Sequence, residues 1–127
     1  MAAEALGNEE QRKLAVSAME AVFRRPIPAR RINSPTFCHG KAGLLEIGLR
    51  FANETGAAGL ARECQNLAKE LLDNYQPESL LGFRNIEIAD HEVDQPGLLD
   101  GSPGVALVLL AAATGVEPTW DRLFLLS

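Results

Sequence analysis

The fold of this chain is decided by the stretch Ser34-Pro35-Thr36-Phe37-Cys38-His39-Gly40-Lys41-Ala42-Gly43, after which an apolar helix pattern begins at Leu44. Adjacent residues in a regular helix or strand point to different faces, so Cys38 and His39 reach one ion only where the backbone turns. Pro35 and Gly40 allow such a turn, because proline favours an extended predecessor and glycine tolerates unusual backbone angles. The sequence therefore predicts that Cys38 and His39 lie on a loop that enters a helix.

A thiolate and an imidazole are preferred ligands of zinc, so Cys38 and His39 form a candidate zinc site. A stable site takes at least three protein ligands, and the sequence leaves the third one open. An isolated Cys-His dipeptide also commonly occurs as a half-buried thiol beside a surface imidazole. The candidates for the third ligand are Cys64, His91 and the carboxylates, although Asp90, Glu92 and Asp94 around His91 are more simply interpreted as a solvated acidic turn.

Length, charge and composition limit the function classes. The 127 residues suit one domain, and a hydrophobic content of 46% is enough to form a core. The net charge of -5 argues against a nucleic-acid partner, which requires a basic surface. No apolar run reaches the roughly 18 residues of a transmembrane segment, and no secretory signal is visible. Two cysteines in dissimilar contexts do not form a disulfide framework, so we expect a cytoplasmic protein.

An amphipathic helix is predicted near the N-terminus. Asn8 and Gln11 resemble a capping box, and Pro26 ends the helix. The predicted apolar face consists of Leu14, Ala18, Ala21 and Val22. Its charged face is interpreted as solvated surface. In the loop that follows, Arg30 and Arg31 either reach an anionic ligand or are simply exposed.

The next two helices differ in pattern. The helix over residues 44–55 is apolar on more than one side, which predicts a buried, inner helix. Glu46 and Arg50 lie one turn apart on it and either pair or face an internal cavity. The helix over residues 57–75 is amphipathic, and its apolar stripe consists of Leu60, Cys64, Leu67, Ala68, Leu71, Leu72 and Tyr75. Because Cys64 belongs to that stripe, we interpret it as a small core residue rather than a ligand.

A long connection over residues 76–101 is expected to pack as a defined or functional loop. Residues 86–88 within it have the pattern of a short strand. Ser102 is the predicted cap, and Pro103 a first-turn residue, of a fourth helix over residues 103–114 that is apolar on almost all sides. The final apolar tail is expected to be buried, and it consists of Trp120, Leu123, Phe124, Leu125 and Leu126.

An internal repeat relates the two apolar helices. Gly40-x-x-Gly43 precedes one and Gly101-x-x-Gly104 the other, and each ends in a Thr-Gly pair, Thr55-Gly56 or Thr114-Gly115. Alternation of outer amphipathic and inner apolar helices is typical of an α/α toroid, or barrel, in which glycines let inner helices approach closely. The predicted fold is therefore all-α, a partial α/α toroid, and residues 1–7 resemble the end of one more inner helix.

These motifs resemble those of the lanthionine synthetase C-like family, the lanthipeptide cyclases. Cys38-His39-Gly40, between Ser34-Pro35-Thr36 and Gly43-Leu44-Leu45, is similar to the family's Cys-His-Gly zinc motif. Residues 82–84, residues 97–105 and the tail from Trp120 resemble the family's C-terminal segments. The resemblance covers essentially the whole chain but only the C-terminal third of the family. We therefore expect residues 1–127 to be a C-terminal fragment of such a toroid domain.

The resemblance implies a seven-fold toroid whose central zinc is held by two cysteines and one histidine, and Cys38 and His39 match two of these three ligands. It also implies zinc-dependent thioether cyclisation, in which a cysteine thiolate of a dehydrated precursor peptide adds to dehydroalanine or dehydrobutyrine. Coordination lowers the pKa of a thiol, and the thiolate is the nucleophile. The chain departs from the family pattern because it lacks the first zinc cysteine, in a Trp-Cys-x-Gly motif, and the acid/base histidine and aspartate. Whether it is an enzyme by itself is left open.

Two functions of different classes remain. The chain is either part of a cyclase, completed by a missing portion or by self-association that covers exposed inner helices, or a non-catalytic helical binding module with a partial metal or thiol site. A third function, with Cys38 as a hydrolytic nucleophile and His39 as its base, is disfavoured. Sequence neighbours rarely present sulfur and imidazole to each other.

Overall fold

The computed structural model describes residues 7–124. Within that range five α-helices alternate with loops, namely α1 (Glu9–Arg24), α2 (Ile27–Arg30), α3 (Lys41–Thr55), α4 (Ala58–Leu72) and α5 (Ser102–Thr114). Two strands, β1 (Arg84–Ile86) and β2 (Glu92–Asp94), form an antiparallel hairpin, and 3-10 turns span Ile88–Asp90 and Trp120–Phe124. The prediction of an all-α protein is confirmed, since helices dominate and the hairpin is small. The predicted inner helix at residues 1–7 lies almost entirely outside the described residues, as do Leu125 and Leu126.

The core forms where α3 packs against α4 and α5. Its largest buried side chains come from every helix but α2 and from two loops, and include Met19, Phe23, Phe37, Leu45, Leu60, Leu67, Leu71, Phe83, Val105 and Val108. The inner position predicted for α3 is confirmed, because its buried residues recur on more than one side of the helix. A contiguous apolar core of this kind is the main source of stability in a small domain.

Gly48 allows α3 to approach its neighbours closely. A Cβ there would lie 2.8 Å from the Cys64 sulfur on α4 and 3.0 Å from the Phe23 ring on α1. Cys64 is 1% exposed, which confirms its interpretation as a core residue. Burial, and to a lesser extent Glu63, raises the pKa of the Cys64 thiol to about 11, so this sulfur is a neutral packing group at neutral pH.

Helix α1 begins as predicted but packs through a different face. Asn8 Oδ1 accepts a hydrogen bond from Gln11 N at 3.0 Å, which confirms the cap. Of the predicted apolar face, Leu14 is 70% exposed, whereas the buried residues are Met19 and Phe23. The larger Met and Phe side chains cover more core surface than alanines do, and they set the rotation of the helix.

Three helix starts and one helix end differ from their predicted positions, the smallest shifts being one residue, as at Ala58 in α4. Helix α3 starts at Lys41 rather than residue 44, with Gly40 as its N-cap and Lys41 N donating to Ser34 O at 2.8 Å. Ser102 is the first residue of α5 rather than its cap. Helix α4 ends at Leu72, so the predicted stripe is wrong beyond Leu71: Leu72 and Tyr75 are more than half exposed.

The hairpin replaces the strand predicted at residues 86–88. Arg84 pairs with Asp94 in register, and Ile86 with Glu92. Ile88 lies outside the strand and is 95% exposed, because positive φ angles at Ala89 and Asp90 turn the chain back immediately after it. The acidic residues around His91 thus belong to a hairpin turn and its second strand.

Helix α5 contains no charged residue, but one of its faces is exposed. That face consists of Pro103, Ala106, Leu110 and Ala113, and Leu110 is 59% exposed. The prediction that α5 is a buried inner helix therefore holds for only part of its circumference within the described chain. None of the described helices is both long enough and apolar enough to cross a membrane.

Candidate functional site

The candidate site lies on the first of two loops that share one backbone arrangement. We name them the Cys-His loop (residues 34–40) and the Leu-Asp loop (residues 95–101). A Cβ on Gly40 would lie 2.4 Å from Ser34 O, and one on Gly101 would lie 1.9 Å from Gln95 O. In both loops the chain folds back so that the carbonyl six residues earlier covers the glycine. Only glycine fits beneath that carbonyl.

The second glycine of each motif repeats this contact one turn later. A Cβ on Gly43 would lie 2.1 Å from Phe37 O, and one on Gly104 would lie 2.0 Å from Leu98 O. The helix ends also match, because Gly56 and Gly115 both adopt left-handed conformations, with φ of 65° and 63°. The predicted internal repeat is therefore confirmed in three dimensions.

Cys38 and His39 lie on a loop just before α3, as the sequence predicts, and the structure shows that both are exposed. Cys38 N donates a hydrogen bond to Leu99 O at 2.7 Å, so the two loops are joined at the candidate site. The equivalent positions of the Leu-Asp loop carry Leu99 and Asp100. One loop thus presents a thiol and an imidazole, which are candidate metal ligands, and its structural copy is hydrogen-bonded to it.

Two buried hydroxyl groups attach this region to strand β1 and to the residue before it. Ser34 Oγ donates to Asn85 Oδ1 at 3.0 Å and accepts from Ile86 N at 3.2 Å. Ser102 Oγ donates to Phe83 O at 2.9 Å. Because these hydroxyls are buried and paired, they fix the orientation of the Cys-His loop beneath its exposed side chains.

The structure does not bring the candidate third ligands to Cys38 and His39. Cys64 is in the core, and His91 is exposed at the hairpin turn. Over residues 7–124 there is no group of three His, Cys, Asp or Glu side chains that could hold a metal ion. Zinc binding by Cys38 and His39 therefore remains a prediction.

Arg30 belongs to a helix end rather than to an anion site. Its guanidinium donates to Phe23 O and, at 3.0 Å, to Arg25 O, and it lies 5.6 Å from the centre of the Phe23 ring. It thereby caps carbonyls at the end of α1. Arg31 is exposed in a left-handed conformation, as the alternative interpretation of this pair expected.

A buried cluster of charged residues was only partly predicted from the sequence, which indicated Glu46 and Arg50 but not their acidic partners. Glu46 and Arg50 pair on α3 at 3.8 Å and both also line a cavity of about 200 Å³, so the two predicted alternatives do not exclude each other. Asp121, which has no exposed surface, accepts a hydrogen bond from Arg50 Nε at 2.7 Å, and Glu117 contacts the same guanidinium. The only sequence signal for this contact is the presence of two acidic residues, Glu117 and Asp121, in a largely apolar tail.

Burial changes the protonation of Glu46. This carboxyl group is 1% exposed and lies beside Asp121, so desolvation first and Asp121 second raise its pKa from 4.5 to about 7, against the opposing effect of Arg50. Arg50 has a raised pKa and stays charged, since its hydrogen bonds and attraction to Asp121 and Glu117 outweigh its own desolvation. The cluster thus contains one carboxyl group that titrates near neutral pH.

An aromatic cluster lies directly beneath Cys38. Phe37 is 7% exposed, and its ring centre lies 5.3 Å from that of Trp120 and 5.1 Å from that of Phe124. The tail therefore packs as predicted at these two residues. Leu123 is 80% exposed, so the prediction that it is buried is wrong: the short 3-10 turn directs it away from the core.

Helices built on paired Gly-x-x-Gly loops, with an exposed Cys-His pair on one of them, define an all-α protein with a candidate soft-metal loop. The family model described as lanthionine synthetase C-like protein matches residues 1–125. The chain therefore belongs to the lanthionine synthetase C-like family. No curated protein matches the sequence.

Proposed function

We propose that this chain contributes to zinc-dependent thioether cyclisation of a dehydrated precursor peptide, with Cys38 and His39 as two of the zinc ligands. The observation that supports the proposal is the exposure of both side chains on a loop whose backbone is held at several points. Phe37 is buried before them, Gly40 is covered after them, and Cys38 N–H is bound to Leu99 O. A ligand loop needs this kind of fixed backbone to keep its donors in place.

The donor set fits zinc. A thiolate sulfur and an imidazole nitrogen are among its usual ligands, and two adjacent exposed donors remain open to a third ligand and to a substrate. Because the described chain supplies no three-ligand group, we propose that the third protein ligand comes from another polypeptide segment or from a second copy of the chain.

The exposed face of α5 suits such an added segment. Its four apolar residues would remain in water if nothing covered them, which costs free energy in proportion to their area. We propose that the alternation of outer α4 with inner α3 and α5 continues into a closed α/α toroid when further helices are supplied. The site would then face the centre of the ring.

The proposed reaction forms a carbon–sulfur bond. The cysteine thiolate of the peptide adds to the β-carbon of dehydroalanine or dehydrobutyrine, the double-bond electrons move toward the carbonyl, and the α-carbon then takes up a proton. Zinc, when bound, supplies a Lewis acid that lowers the pKa of a thiol. Cys38 and His39 would hold the ion, and the free thiols of this chain suit a reducing cytoplasm, where we propose that it acts.

Elemental analysis of the size-separated protein after zinc loading tests the proposal. We expect near-stoichiometric zinc in the wild type, and its loss in both Cys38→Ala and His39→Ala. The matched control is His91→Ala, which removes an equally exposed imidazole from the hairpin turn and should retain zinc. Zinc that survives Cys38→Ala would overturn the assignment, and a folded wild-type chain that binds no zinc would overturn the version in which a second copy completes the site.

The second candidate is a non-catalytic module that binds thiols or metal weakly. It is supported by the exposed, unpaired Cys38 thiol in a loop that offers only one further ligand within the described residues. Titration with a precursor peptide containing a dehydrated residue separates the two functions. Thioether formation, seen as loss of the free peptide thiol at unchanged mass, supports the cyclase, whereas binding without bond formation supports the module.

A further inference from the structure

The C-terminal 3-10 turn is attached to the rest of the molecule by a buried ion pair. Asp121 is fully buried, and its Oδ2 accepts a hydrogen bond from Arg50 Nε at 2.7 Å. The same guanidinium donates to Pro118 O at 2.6 Å and contacts Glu117. A single arginine of α3 therefore fixes the chain over residues 117–121.

The residues on either side of this attachment hold the Cys-His loop from below. Trp120 precedes Asp121 and Phe124 follows it, and both rings lie within about 5 Å, centre to centre, of Phe37. The Phe37 Cβ is also only 3.0 Å from the position that a Cβ on Gly104 would take. Phe37 is thus enclosed by the tail on one side and by α5 on another, and Cys38 is the next residue.

We propose that Asp121 is a positioning residue for the Cys-His loop: bound to Arg50, it holds Trp120 and Phe124 against Phe37 and so fixes the backbone from which Cys38 and His39 project. The effect of Asp121 on metal binding rests on the proposed function. The structural part of the inference, the attachment of the tail to the loop, does not depend on any metal.

A second carboxyl group makes the attachment sensitive to pH. Glu46 Oε2 and Asp121 Oδ1 are buried and have no hydrogen-bond partner among the described residues. A proton on Glu46 that Asp121 accepts would satisfy both carboxyl groups, in line with the raised pKa of Glu46. The charged groups that face this pair are Arg50 and Glu117; α5 has no ionisable residue, and α4 contributes Ala61 and Gln65 to the cavity wall. We expect the attachment to weaken as the pH rises through about 7, where Glu46 ionises beside Asp121.

Amide hydrogen exchange tests the inference without any metal. The readout is the protection factor of the Cys38 N–H, which is bound to Leu99 O, compared with amides in the middle of α4 such as Leu67. In Asp121→Asn we expect protection of Cys38 to fall about tenfold more than protection of Leu67. The matched control is Glu117→Gln, which removes the exposed carboxylate from the same guanidinium and should leave Cys38 protected.

Equal losses at Cys38 and Leu67 would mean that Asp121 serves general stability alone, and would overturn the inference. If Asp121→Asn does not fold, Glu46→Gln keeps the test open, because its amide still donates to Asp121. Protection of Cys38 in the wild type should fall as the pH rises through about 7, and it should not do so in Glu46→Gln. The absence of this difference between the two proteins would also refute the role of the shared proton.

Cobalt(II) titration then connects the inference to the proposed function. Cobalt bound to Cys38 gives a thiolate absorption band, and we expect its dissociation constant to rise about tenfold in Asp121→Asn but not in Glu117→Gln. If the wild type binds no cobalt, a metal site completed by a second copy is refuted, while the exchange measurement still decides the positioning role. If cobalt affinity is unchanged although Cys38 loses protection, the link from the loop backbone to the ligands is refuted.

Discussion

The Cys-His loop and the Leu-Asp loop have the same backbone but different chemistry. In each loop a backbone carbonyl lies over the first glycine, and each loop leads into an apolar helix. Each of these helices ends at a glycine in the left-handed conformation. In the register set by the glycines, Cys38 and His39 correspond to Leu99 and Asp100. The comparison shows that the repeat supplies a scaffold, and that a few side chains on one copy supply the candidate site.

The two helices below the loops differ in the same way. Helix α3 carries Glu46 and Arg50, whereas the equivalent positions of α5 are Leu107 and Ala111. Burial of ionised groups is costly, so the charges on α3 require the compensating contacts that Asp121 provides. The Cys-His loop and the buried charges therefore occur on the same copy of the repeat.

The largest expected effect comes from replacing, with alanine, a glycine that lies under a backbone carbonyl in either loop. Gly43→Ala and Gly104→Ala each place a methyl group about 2 Å from a backbone carbonyl oxygen that cannot rotate away, so we expect each to lower the free energy of unfolding by about 4 kcal/mol or more. The control is Gly59→Ala in α4, which has no neighbour within 4 Å and should be neutral or slightly stabilising. Urea denaturation measures all three. If Gly104→Ala is tolerated while Gly43→Ala is not, the two loops are not structural equivalents.

The next largest effect is a pH dependence of stability that comes from Glu46 on α3 and has no counterpart on α5. A carboxyl group whose pKa rises from 4.5 unfolded to about 7 folded contributes stability that is present below pH 4.5 and is lost as the pH rises to about 7. For Glu46 this contribution is about 3 kcal/mol, at 1.36 kcal/mol per pKa unit. Glu46→Gln should remove that loss, because glutamine keeps the hydrogen bond but does not ionise. Urea midpoints between pH 4.5 and 8 measure it, with the exposed Glu78→Gln as control. A curve for Glu46→Gln parallel to that of the wild type would contradict the prediction.

The smallest effect compares the two helix ends. Thr55 Oγ1 donates to Phe51 O at 2.6 Å and Thr114 Oγ1 donates to Leu110 O at 2.8 Å, and each hydroxyl accepts an N–H two residues later. Valine removes both bonds in each case. We expect a loss of about 1 kcal/mol for Thr55→Val, which is half-buried, and about 0.5 kcal/mol for Thr114→Val, which is exposed. Thermal denaturation of both variants and of the double variant checks this order, and a larger loss at Thr114 would reverse it.

Features with a local signal were predictable from the sequence. The cap at Asn8, the inner helix α3, the Cys64 packing position and the repeat all depend on spacing within one turn or one motif. Predictions failed where the outcome depends on what packs nearby. The face of α1 follows Met19 and Phe23 rather than Leu14, because burial depends on which helix lies opposite.

By itself, the sequence determined the all-α class, the two Gly-x-x-Gly loops, the position of Cys38 and His39 on one of them and the family, because periodicity, glycine placement and short motifs are properties of neighbouring residues. Tertiary structure alone decided that Arg50 meets Asp121, 71 residues away, that Trp120 and Phe124 support Phe37, and that the Leu-Asp loop binds the Cys38 amide. These contacts join segments that are distant in the chain. These contacts depend on how α3 packs against α5 and the tail. No local sequence pattern indicates that packing.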